Sequence, residues 1–454
     1  MSATTQGRLR VAIVGGGISG LSTAWYLAKA AAAHGITLDY TVLEKADHWG
    51  GKVRTEHVED FAETPFVVET GPDSFLTQKP WALQLARDLG LSDQLLGTND
   101  DKRHVYVLRN GKPVIVPDGV FLIVPTKFKP FALSPLISPL GKLRMAFDLV
   151  IPPKRDDADE TIADFVKRRL GAEAVDRLAE PMLAGIYNAE AEQQSILATF
   201  PRFRDLEKNH GSLTRGMLAS RRKQARNSSN AAHGKVSAFV SFQGGTQTLI
   251  DALVPKLTGD LRLDTGVALI QPESDGTYTL TLEGGDSLTA DAVVVAAAAY
   301  HTADLVRSLA PEAAAQLDRI RYVSTGTISI AFRTADIPRP LDGFGILMPS
   351  SERRPINAVT ISSTKFDQRA PDGYVLMRVF FGGSRSPQSM HLDDAALLSM
   401  VRDQLRQVFG VEAEPLFHRI YRWWNANPQY DVGHLERVDQ IEASLPDGLY
   451  VTGS

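Results

Sequence analysis

A glycine-rich turn between a short apolar strand and a helix constrains this chain more than any other part of its sequence. Arg10–Val14 is typical of a buried strand, and the amphipathic run Leu21–Ala33 predicts a helix that ends at Gly35. Leu38–Leu43 predicts a second strand. Two strands joined in this way by a helix lie parallel, with a right-handed crossover. The first part of the chain therefore predicts a βαβ unit.

The turn has the spacing G-x-G-x-x-G, formed by Gly15, Gly17 and Gly20. The first glycine permits a tight turn, the second lets the backbone approach a pyrophosphate, and the third lets the helix pack closely on the strand. Glu44, at the end of the second strand, can accept hydrogen bonds from a ribose. The alternative is a glycine turn with an unrelated surface glutamate, but strand, helix and acid together favour dinucleotide binding.

The residues after Glu44 distinguish FAD from NAD, since both fit the βαβ unit. Trp49–Arg54 contains two more glycines and two basic residues, placed where the chain can follow the pyrophosphate and reach toward a flavin. An ordinary hairpin is the alternative. We therefore expect FAD. The predicted cofactor-binding residues in these segments are Gly15, Gly16, Gly17, Ile18, Ser19, Gly20, Glu44, Lys45, Gly50, Gly51, Lys52 and Arg54.

The composition restricts where redox chemistry can come from. The chain has no cysteine, which excludes disulfides, thiolate catalysis and Cys-based metal or iron–sulfur sites. Its 49 basic and 53 acidic residues give a net charge of -4, which argues against a nucleic-acid partner. With 454 residues it is longer than one hydrophobic core usually serves, so we expect about three structural units.

The sequence predicts a cytoplasmic protein with at most peripheral membrane contact. Met1–Leu9 is polar and leaves no room for a signal-peptide core, and no apolar run reaches the ~20 residues that span a bilayer. The apolar and basic stretch Phe121–Leu149 is where a membrane surface would bind. A substrate-channel wall or core is the alternative, because its prolines prevent one long amphipathic helix.

Several further elements follow from local patterns. Asp159 or Thr161 predicts the start of a helix that runs to Leu170, and Pro181 predicts a kink near Ala179. The polar stretch Arg221–Lys235 predicts a surface loop. Period-two alternation between Gly326 and Phe381 predicts a half-buried sheet, and Leu397–Phe409 predicts a packing helix.

The stretch Glu69–Leu76 resembles a closely similar stretch of the bacterial porphyrinogen oxidases, within the flavin-dependent amine oxidase superfamily. Gly50–Thr55 resembles the G-G-x-x-R-T pattern of that superfamily. Glu180–Tyr187 and the residues from Trp423 to His434 are similar to the same family, so the resemblance covers nearly the whole chain. It implies that Gly71, Pro72, Asp73 and Ser74 run beside the isoalloxazine ring, and that Val267 contacts the adenine through its backbone.

The resemblance also implies an α/β fold with a discontinuous Rossmann-like FAD-binding domain, a mixed-sheet substrate domain and a helical insert. We expect the FAD-binding domain to comprise residues 8–80, 235–300 and 445–454. The substrate-binding domain would comprise 81–115 and 301–444. Residues 116–234 would form the helical insert, or a membrane-facing region.

The implied activity is the oxidation of a porphyrinogen in heme biosynthesis. Six electrons leave the substrate in three two-electron steps, with O2 as the acceptor and H2O2 as its product, and no metal is required. Coproporphyrinogen III is preferred to protoporphyrinogen IX because the match is closest to the soluble bacterial branch. A downstream heme-pathway enzyme is a further expected partner. Another flavin-dependent amine oxidase or desaturase, and an FAD-free non-catalytic homologue, remain alternatives.

Substrate propionates need cations, and arginine matches carboxylates bidentately. By resemblance Arg103 is the first candidate and Lys79 the second, with a solvated surface charge as the alternative for both. Gly185 and Ile186 are expected to line the pocket above the flavin, although core packing would explain Ile186 equally well. No catalytic acid or base is assigned, because isolated histidines without a supporting cluster are more often structural or exposed. Those histidines are His34, His48, His57 and His104.

In the family, the run that resembles Gly448–Gly453 continues into a glycine-rich turn and a last helix that cover the pyrophosphate and the flavin. The given sequence ends at Ser454. Losing those backbone donors and that helix amino terminus would weaken FAD binding, which is the basis of the non-catalytic alternative.

Overall fold

The computed structural model describes residues 8–121, 123–187, 189–228, 237–339 and 341–453. Within these ranges, side chains are described except at 100, 121, 184–187 and 224–228. Two large sheets and a helical region organise the chain, and a few shorter hairpins join them.

The first large sheet, called the parallel sheet here, joins strands from three distant parts of the chain. All of its neighbouring strands are parallel. Its order confirms the predicted discontinuous Rossmann-like fold. Across the sheet the five strands are Asp260–Arg262, Leu38–Leu43, Leu9–Val14, Ala292–Val295 and Leu449–Val451.

Both faces of the parallel sheet are covered, because alternate residues of its strands point into different cores. Val11 and Ile13 pack with the helix Ile18–His34, whereas Ala12 and Val14 pack on the opposite side. The helices on the first side are Ile18–His34, Pro80–Asp88 and Thr248–Leu253. The second side is covered by the strands Val267–Pro272, Tyr278–Leu282 and Ser287–Ala290 and the helices Ala299–Val306, Pro311–Leu317 and His434–Ser444.

Some of these covering helices lie in segments that the sequence assigned to the substrate-binding domain. Pro80–Asp88 begins at the predicted boundary, yet its Leu85 and Ala86 belong to the core of the parallel sheet. The domain bounds inferred from the resemblance stay a prediction.

The second large sheet, the mixed sheet, has seven strands. Its strands are antiparallel except for Gly343–Leu347 and His104–Arg109, which pair in parallel. In order they are Phe417–Pro428, Tyr322–Arg333, Tyr374–Gly382, Ala358–Ile361, Gly343–Leu347, His104–Arg109 and Lys112–Ile115.

The centre of the mixed sheet is buried on both faces, so the predicted half-buried sheet is wrong for Tyr322–Arg333. The helix Asp394–Phe409 covers one face, which confirms the predicted packing helix. The hairpin Thr55–Val58 and Phe66–Glu69 covers the other face, where Phe66 packs on Ala331. This hairpin leads directly into the Glu69–Ser74 segment.

The helical region has its own core and follows several of the sequence expectations. Thr161 caps Ile162–Leu170 by accepting a 3.0 Å hydrogen bond from the Asp164 N–H. A π-helical turn at Val175–Ala179 precedes Glu180–Tyr187, where Pro181 predicted an irregularity. The α-helices of the region are Phe128–Leu133, Pro139–Ala146, Ile162–Leu170, Ala172–Ala174, Glu180–Tyr187, Ile196–Thr199, Pro201–His210 and Leu213–Ser228.

The predicted surface loop at Arg221–Lys235 is wrong over its first part. The helix Leu213–Ser228 continues through it, because Leu213 and Met217 are buried in the helical core while the basic residues face solvent. The remainder of that prediction, residues 229–235, lies outside the described residues.

A buried ion pair fixes the helical region. Arg169 and Asp148 are both 0% exposed, and Arg169 Nε donates to Asp148 Oδ1 at 2.8 Å. The same carboxylate accepts from Ser212 Oγ at 2.6 Å and from the Thr214 N–H at 2.9 Å. Asp148 therefore joins three separate segments of this region.

Short elements complete the chain, and no helix within the described ranges is long and apolar enough to cross a bilayer. The remaining strands are Phe75–Leu76, Leu95–Gly97, Val120–Phe121, Val124–Pro125 and Phe239–Phe242, and the remaining α-helix is Ser362–Lys365. The 3₁₀ turns are Ser92–Gln94, Asp100–Lys102, Phe147–Leu149, Val254–Lys256, Thr334–Asp336, Ser350–Glu352 and Pro387–His391.

Candidate functional site

The first and third glycines of the turn after Leu9–Val14 are required by contacts inside the protein. Gly15 has φ +113°, and a Cβ there would lie 2.6 Å from the carbonyl oxygen of Ala296. A Cβ on Gly20 would lie 1.9 Å from the carbonyl oxygen of Gly15. These distances are shorter than any van der Waals contact, so only glycine fits either position.

The second glycine differs, because a Cβ on Gly17 would meet no described atom within 4 Å. Gly17 has φ -70° and ψ 175°, which any residue can adopt, and it starts Ile18–His34 without a side-chain cap. The first N–H groups of a helix lack intrahelical acceptors, and the helix dipole favours an anion there. The open space beside this uncapped terminus therefore fits a pyrophosphate.

The second pair of glycines packs directly on this turn. The Gly50 N–H donates to the Gly16 carbonyl oxygen at 2.8 Å, and a Cβ on Gly51 would lie 3.3 Å from Gly17 Cα. The Trp49 ring covers Gly16, where a Cβ would lie 2.5 Å from the indole. The two glycine-rich segments that the sequence predicted to share a ligand thus lie side by side.

Glu44 is held by backbone donors from this turn. Its carboxylate accepts from the Gly16 N–H at 2.6 Å and from the Ala46 N–H at 2.8 Å. Two carboxylate oxygens offer about four lone-pair positions, so acceptor capacity remains for ribose hydroxyls. The Glu44 carbonyl oxygen accepts from the Thr265 N–H at 2.8 Å, which places the segment containing Val267 beside it.

The predicted basic residues near the turn have different surroundings. Lys45 forms an exposed 2.7 Å ion pair with Glu283. Lys52 Nζ hydrogen-bonds to the carbonyl oxygen of Ala426, on the last strand of the mixed sheet. The Arg54 side chain is exposed, and its carbonyl oxygen accepts from the Thr70 N–H at 3.0 Å. These contacts alone do not show that any of the three side chains binds the cofactor.

The Glu69–Ser74 segment is clamped between Lys52 and the mixed sheet. A Cβ on Gly71 would lie 1.9 Å from the Lys52 carbonyl oxygen, and the Gly71 carbonyl oxygen accepts from Arg378 Nη2 at 2.5 Å. Trp423 Nε1 donates to the Thr70 carbonyl oxygen at 2.8 Å. The carbonyl oxygen of Pro72 accepts from Thr246 Oγ at 3.1 Å.

The two acids of this segment have opposite pKa shifts. Burial raises the pKa of Glu69, although hydrogen bonds from Thr246 and the charge of Arg369 oppose this effect. Burial would also raise the pKa of Asp73, but the nearby charges of Lys365 and Arg378 hold it well below its usual range. Lys365 Nζ lies 2.9 Å from Asp73 Oδ2, and Ser74 Oγ donates to Asp73 Oδ1 at 2.6 Å.

Sequence reasoning missed the cations behind this segment. Arg378 lies in Tyr374–Gly382 between the apolar residues Met377 and Val379, and alternation alone placed it toward solvent. It is in fact 4% exposed, with its guanidinium against Gly71. No local signal could have found it, because the hairpin that buries it comes from a distant part of the chain.

A large cavity of about 1140 Å³, called the basic cavity here, lies beside the same segment. Its walls come from the start of His104–Arg109, from residues 116–127 and from the helices Pro201–His210 and Leu213–Ser228. Gln78 also lines it, four residues after Ser74, and four residues span at most ~14 Å. The cavity is therefore close to the predicted flavin-binding segment. Its cationic side chains are Arg103, Lys127, Arg202, Arg221 and Lys223.

The predicted substrate residues have mixed outcomes. Arg103 lines the basic cavity, whereas Lys79 directly precedes Pro80–Asp88, has an exposed side chain that does not cap the helix, and is not among the described lining residues. Gly185 and Ile186 lie in Glu180–Tyr187, but their side chains are outside the described part of the structure. The other four cations were missed, although the basic run at 221–223 with apolar residues at helical spacing before it was a usable signal.

Comparison with known proteins gives one family and a consistent set of relatives. The family described as flavin containing amine oxidoreductase matches residues 18–454. A coproporphyrinogen III oxidase of Propionibacterium freudenreichii subsp. freudenreichii is 37% identical over 462 residues, covering 96% of this chain and 84% of that protein. A chloroplastic protoporphyrinogen oxidase of Oryza sativa subsp. japonica is 30% identical, covering 97% of this chain and 83% of that protein.

A solved structure supports the same assignment of the fold. A protein of Exiguobacterium sp. 255-15, provisionally named a protoporphyrinogen oxidase, superposes with a TM-score of 0.83 at 28% identity. The superposition covers 99% of this chain and 94% of that one.

Proposed function

We propose that this chain, which belongs to the flavin containing amine oxidoreductase family, oxidises a porphyrinogen to a porphyrin in heme biosynthesis, with coproporphyrinogen III as its preferred substrate. Its cofactor is FAD. The observation that carries the proposal is the basic cavity, which is large enough for a tetrapyrrole and has a lining residue, Gln78, four residues after Ser74. The higher identity to a coproporphyrinogen III oxidase than to a protoporphyrinogen oxidase supports the choice of substrate.

The residues that would hold FAD are those of the two glycine-rich segments and Glu44. The uncapped start of Ile18–His34 would face the pyrophosphate, and Glu44 would accept hydrogen bonds from the ribose. Val267 and the Gly71–Ser74 backbone would lie along the adenine and the isoalloxazine, respectively. FAD supplies the two-electron oxidation of a saturated carbon, which no side chain of this cysteine-free protein could perform.

The protein's own residues bind and orient the substrate. The cations of the basic cavity would pair with its propionates, and Arg103 would be the first of them. The ion pair between Asp73 and Lys365 and the bond from Arg378 to Gly71 hold the Glu69–Ser74 segment in one position. A fixed segment keeps the reacting carbon in one orientation through three successive oxidations.

The complete reaction balances with dioxygen as the acceptor. A porphyrinogen loses six electrons and six protons on becoming a porphyrin, and three O2 become three H2O2. We include O2 in the proposal because a reduced flavin can pass two electrons to dioxygen.

The test uses the purified chain with its bound flavin. We expect visible flavin bands, growth of porphyrin fluorescence with coproporphyrinogen III under air, and three peroxides released per porphyrin, against a heat-denatured control that corrects for spontaneous oxidation. A higher kcat/KM for coproporphyrinogen III than for protoporphyrinogen IX is the expected ranking. Flavin bands with no porphyrin formed from either substrate would contradict the proposal and favour another flavin-dependent amine oxidase or desaturase.

We also infer a cytoplasmic location with peripheral membrane contact, through an apolar surface on the helical region. Leu133 and Leu140 are 77% and 80% exposed, and Leu143 and Val150 are exposed beside them in the sequence. Lys129 is exposed in the same stretch, where it would face anionic headgroups.

Flotation with phosphatidylglycerol-containing vesicles tests this contact. We expect the chain to float with the vesicles and Leu140→Ser to float less, while Leu435→Ser, an exposed leucine on another helix, floats as the parent does. Absence of flotation by the parent chain would contradict membrane contact. In that case the exposed apolar surface would instead bind a protein partner, such as the enzyme that next uses the porphyrin.

A further inference from the structure

The cations of the basic cavity come from four separate parts of the chain. Arg103 precedes a strand of the mixed sheet, Lys127 precedes Phe128–Leu133, and Arg202 lies on Pro201–His210. Arg221 and Lys223 both lie on Leu213–Ser228. A run of basic residues on one helix is usually a solvated helix face. Here four segments bring basic side chains to one cavity, which places like charges together despite their repulsion.

The charge of the cavity is unbalanced. Among its described lining residues there are five cations and one carboxylate, Asp118, which lies 3.7 Å from Lys127. Arg103, Arg221 and Lys223 have no carboxylate within 4.0 Å in the described part of the chain, and all three are exposed. The whole chain carries a net charge of -4, so this excess of positive charge is a local feature and not the average surface.

Arg221 is held in place at the cavity wall. Its Nη1 donates to Thr126 Oγ1 at 2.7 Å, and Thr126 is buried. Thr126 Oγ1 in turn donates to the Gly119 carbonyl oxygen at 2.6 Å, within the same segment of the cavity lining. One end of the guanidinium is therefore positioned by the protein, and its remaining donors keep the planar geometry that matches a carboxylate.

We propose that Lys127, Arg202, Arg221 and Lys223 extend the Arg103 subsite into a polycarboxylate-binding site that selects tetrapyrroles with four carboxylates over those with two. The proposal rests on the proposed function and adds the residues that determine its substrate. Coproporphyrinogen III carries four propionates, whereas protoporphyrinogen IX carries two propionates and two vinyl groups. Four carboxylates can compensate more of the positive charge of the cavity than two, whereas vinyl groups offer that charge no partner.

Binding of the stable product porphyrins tests the site without turnover. The probes are coproporphyrin III and protoporphyrin IX, titrated into the flavin-loaded protein while porphyrin fluorescence is followed. We expect coproporphyrin III to bind more tightly, and the ratio of the two Kd values to fall about tenfold in Arg221→Gln/Lys223→Gln. Increasing salt should weaken coproporphyrin III more than protoporphyrin IX, since more charges are screened.

Two further variants separate a binding role from a structural one. Lys256→Gln makes the same chemical change at an exposed lysine outside the cavity lining, and it should leave both Kd values unchanged. Arg221→Lys keeps the charge and loses the planar fork, so it should restore part of the ratio. A matching flavin spectrum and melting temperature in each variant confirm that the fold is retained.

The failure of this inference is distinguishable from failure of the proposed function. Equal Kd values for the two porphyrins, or an unchanged ratio in the double variant, would overturn the inference even if both porphyrinogens are oxidised. Selective coproporphyrin III binding that is lost in the double variant would support it even if neither porphyrinogen were oxidised, in which case only the proposed reaction fails.

Discussion

The glycine turn at Gly15–Gly20 and the basic cavity, the two binding regions proposed above, would receive charged groups by opposite means. The turn uses backbone N–H groups and the absence of side chains, all from one short segment. The cavity uses long cationic side chains that four segments bring together. The turn therefore depends on local conformation, whereas the cavity depends on how the helical region is packed. Substitutions should damage the two by different routes.

The largest effect is expected from a substitution that disrupts the packing of the helical region, which forms part of the cavity. Asp148→Asn keeps the size of the side chain but removes the nearer counter-charge of the 0% exposed Arg169, which leaves only Glu207 at 3.5 Å. Losing one partner of a buried pair destabilises by about 3–5 kcal/mol. Urea unfolding followed by circular dichroism should measure this loss, and porphyrin binding should disappear at lower urea concentrations than in the parent chain.

The matched control for Asp148→Asn is an ion pair of the same region at the surface. Asp157 and Lys208 lie 2.9 Å apart with both side chains largely exposed, so Asp157→Asn should leave the unfolding midpoint in place. Equal midpoints for Asp148→Asn and the parent would mean that the buried pair does not hold the cavity wall.

The next effect belongs to the turn. Gly20→Ala places a Cβ 1.9 Å from the Gly15 carbonyl oxygen, so helix and strand must separate. Overpacking of this kind destabilises by about 1–3 kcal/mol, and backbone contact favours the upper end of that range. Thermal melting should show the loss with or without added FAD, since the clash is inside the protein. An unchanged melting temperature would show that the turn can relax around the added methyl group.

These two regions also differ in how far the sequence predicted them. The turn, Glu44 and the second glycine pair follow from spacing along about forty residues, because most of their contacts are between neighbours in a βαβ unit, the contact of Gly15 with Ala296 excepted. The first two strands of the parallel sheet could be predicted for the same reason. The resemblance supplied its distant strands, which no local pattern could have paired.

Of the five cations that line the basic cavity, the sequence singled out only Arg103, whose substrate role stays a prediction. Lys127, Arg202, Arg221 and Lys223 lie in segments whose separation in sequence gives no hint of their proximity, and part of Leu213–Ser228 was predicted as a loop. Its polar residues favour a loop on local propensity, but burial of Met217 in the helical core decides for a helix. Tertiary packing therefore determined what periodicity alone could not.

A third prediction uses pH to examine the charges that hold Pro201–His210, which carries Arg202. Burial would raise the pKa of Glu207, but hydrogen bonds and charge from Arg168 and Arg204 outweigh it and lower the pKa. A carboxyl with a lowered folded pKa contributes stability above its unfolded pKa and loses it as the pH falls through the folded value. Glu207→Gln should therefore destabilise by about 2 kcal/mol at neutral pH.

The measurement is urea unfolding of parent and Glu207→Gln over a pH series. The difference between them should be constant above the ordinary glutamate pKa of about 4.3 and should shrink below it. A difference that stays constant down to acid pH would mean that Glu207 acts by its shape and not by its charge.

The smallest effect on stability gives the sharpest contrast with Gly20→Ala. A Cβ on Gly17 meets no described atom within 4 Å, and φ -70° is accessible to alanine, so Gly17→Ala should change the unfolding free energy of the FAD-free chain by less than about 1 kcal/mol. FAD would occupy that space, however, and its affinity should fall at least about tenfold, since the second glycine admits the pyrophosphate.

Titration of the FAD-free chain by flavin fluorescence measures the affinity, and melting without FAD measures the stability. If Gly17→Ala binds FAD as the parent does, the pyrophosphate does not lie at this helix terminus, and the turn's open side has another role.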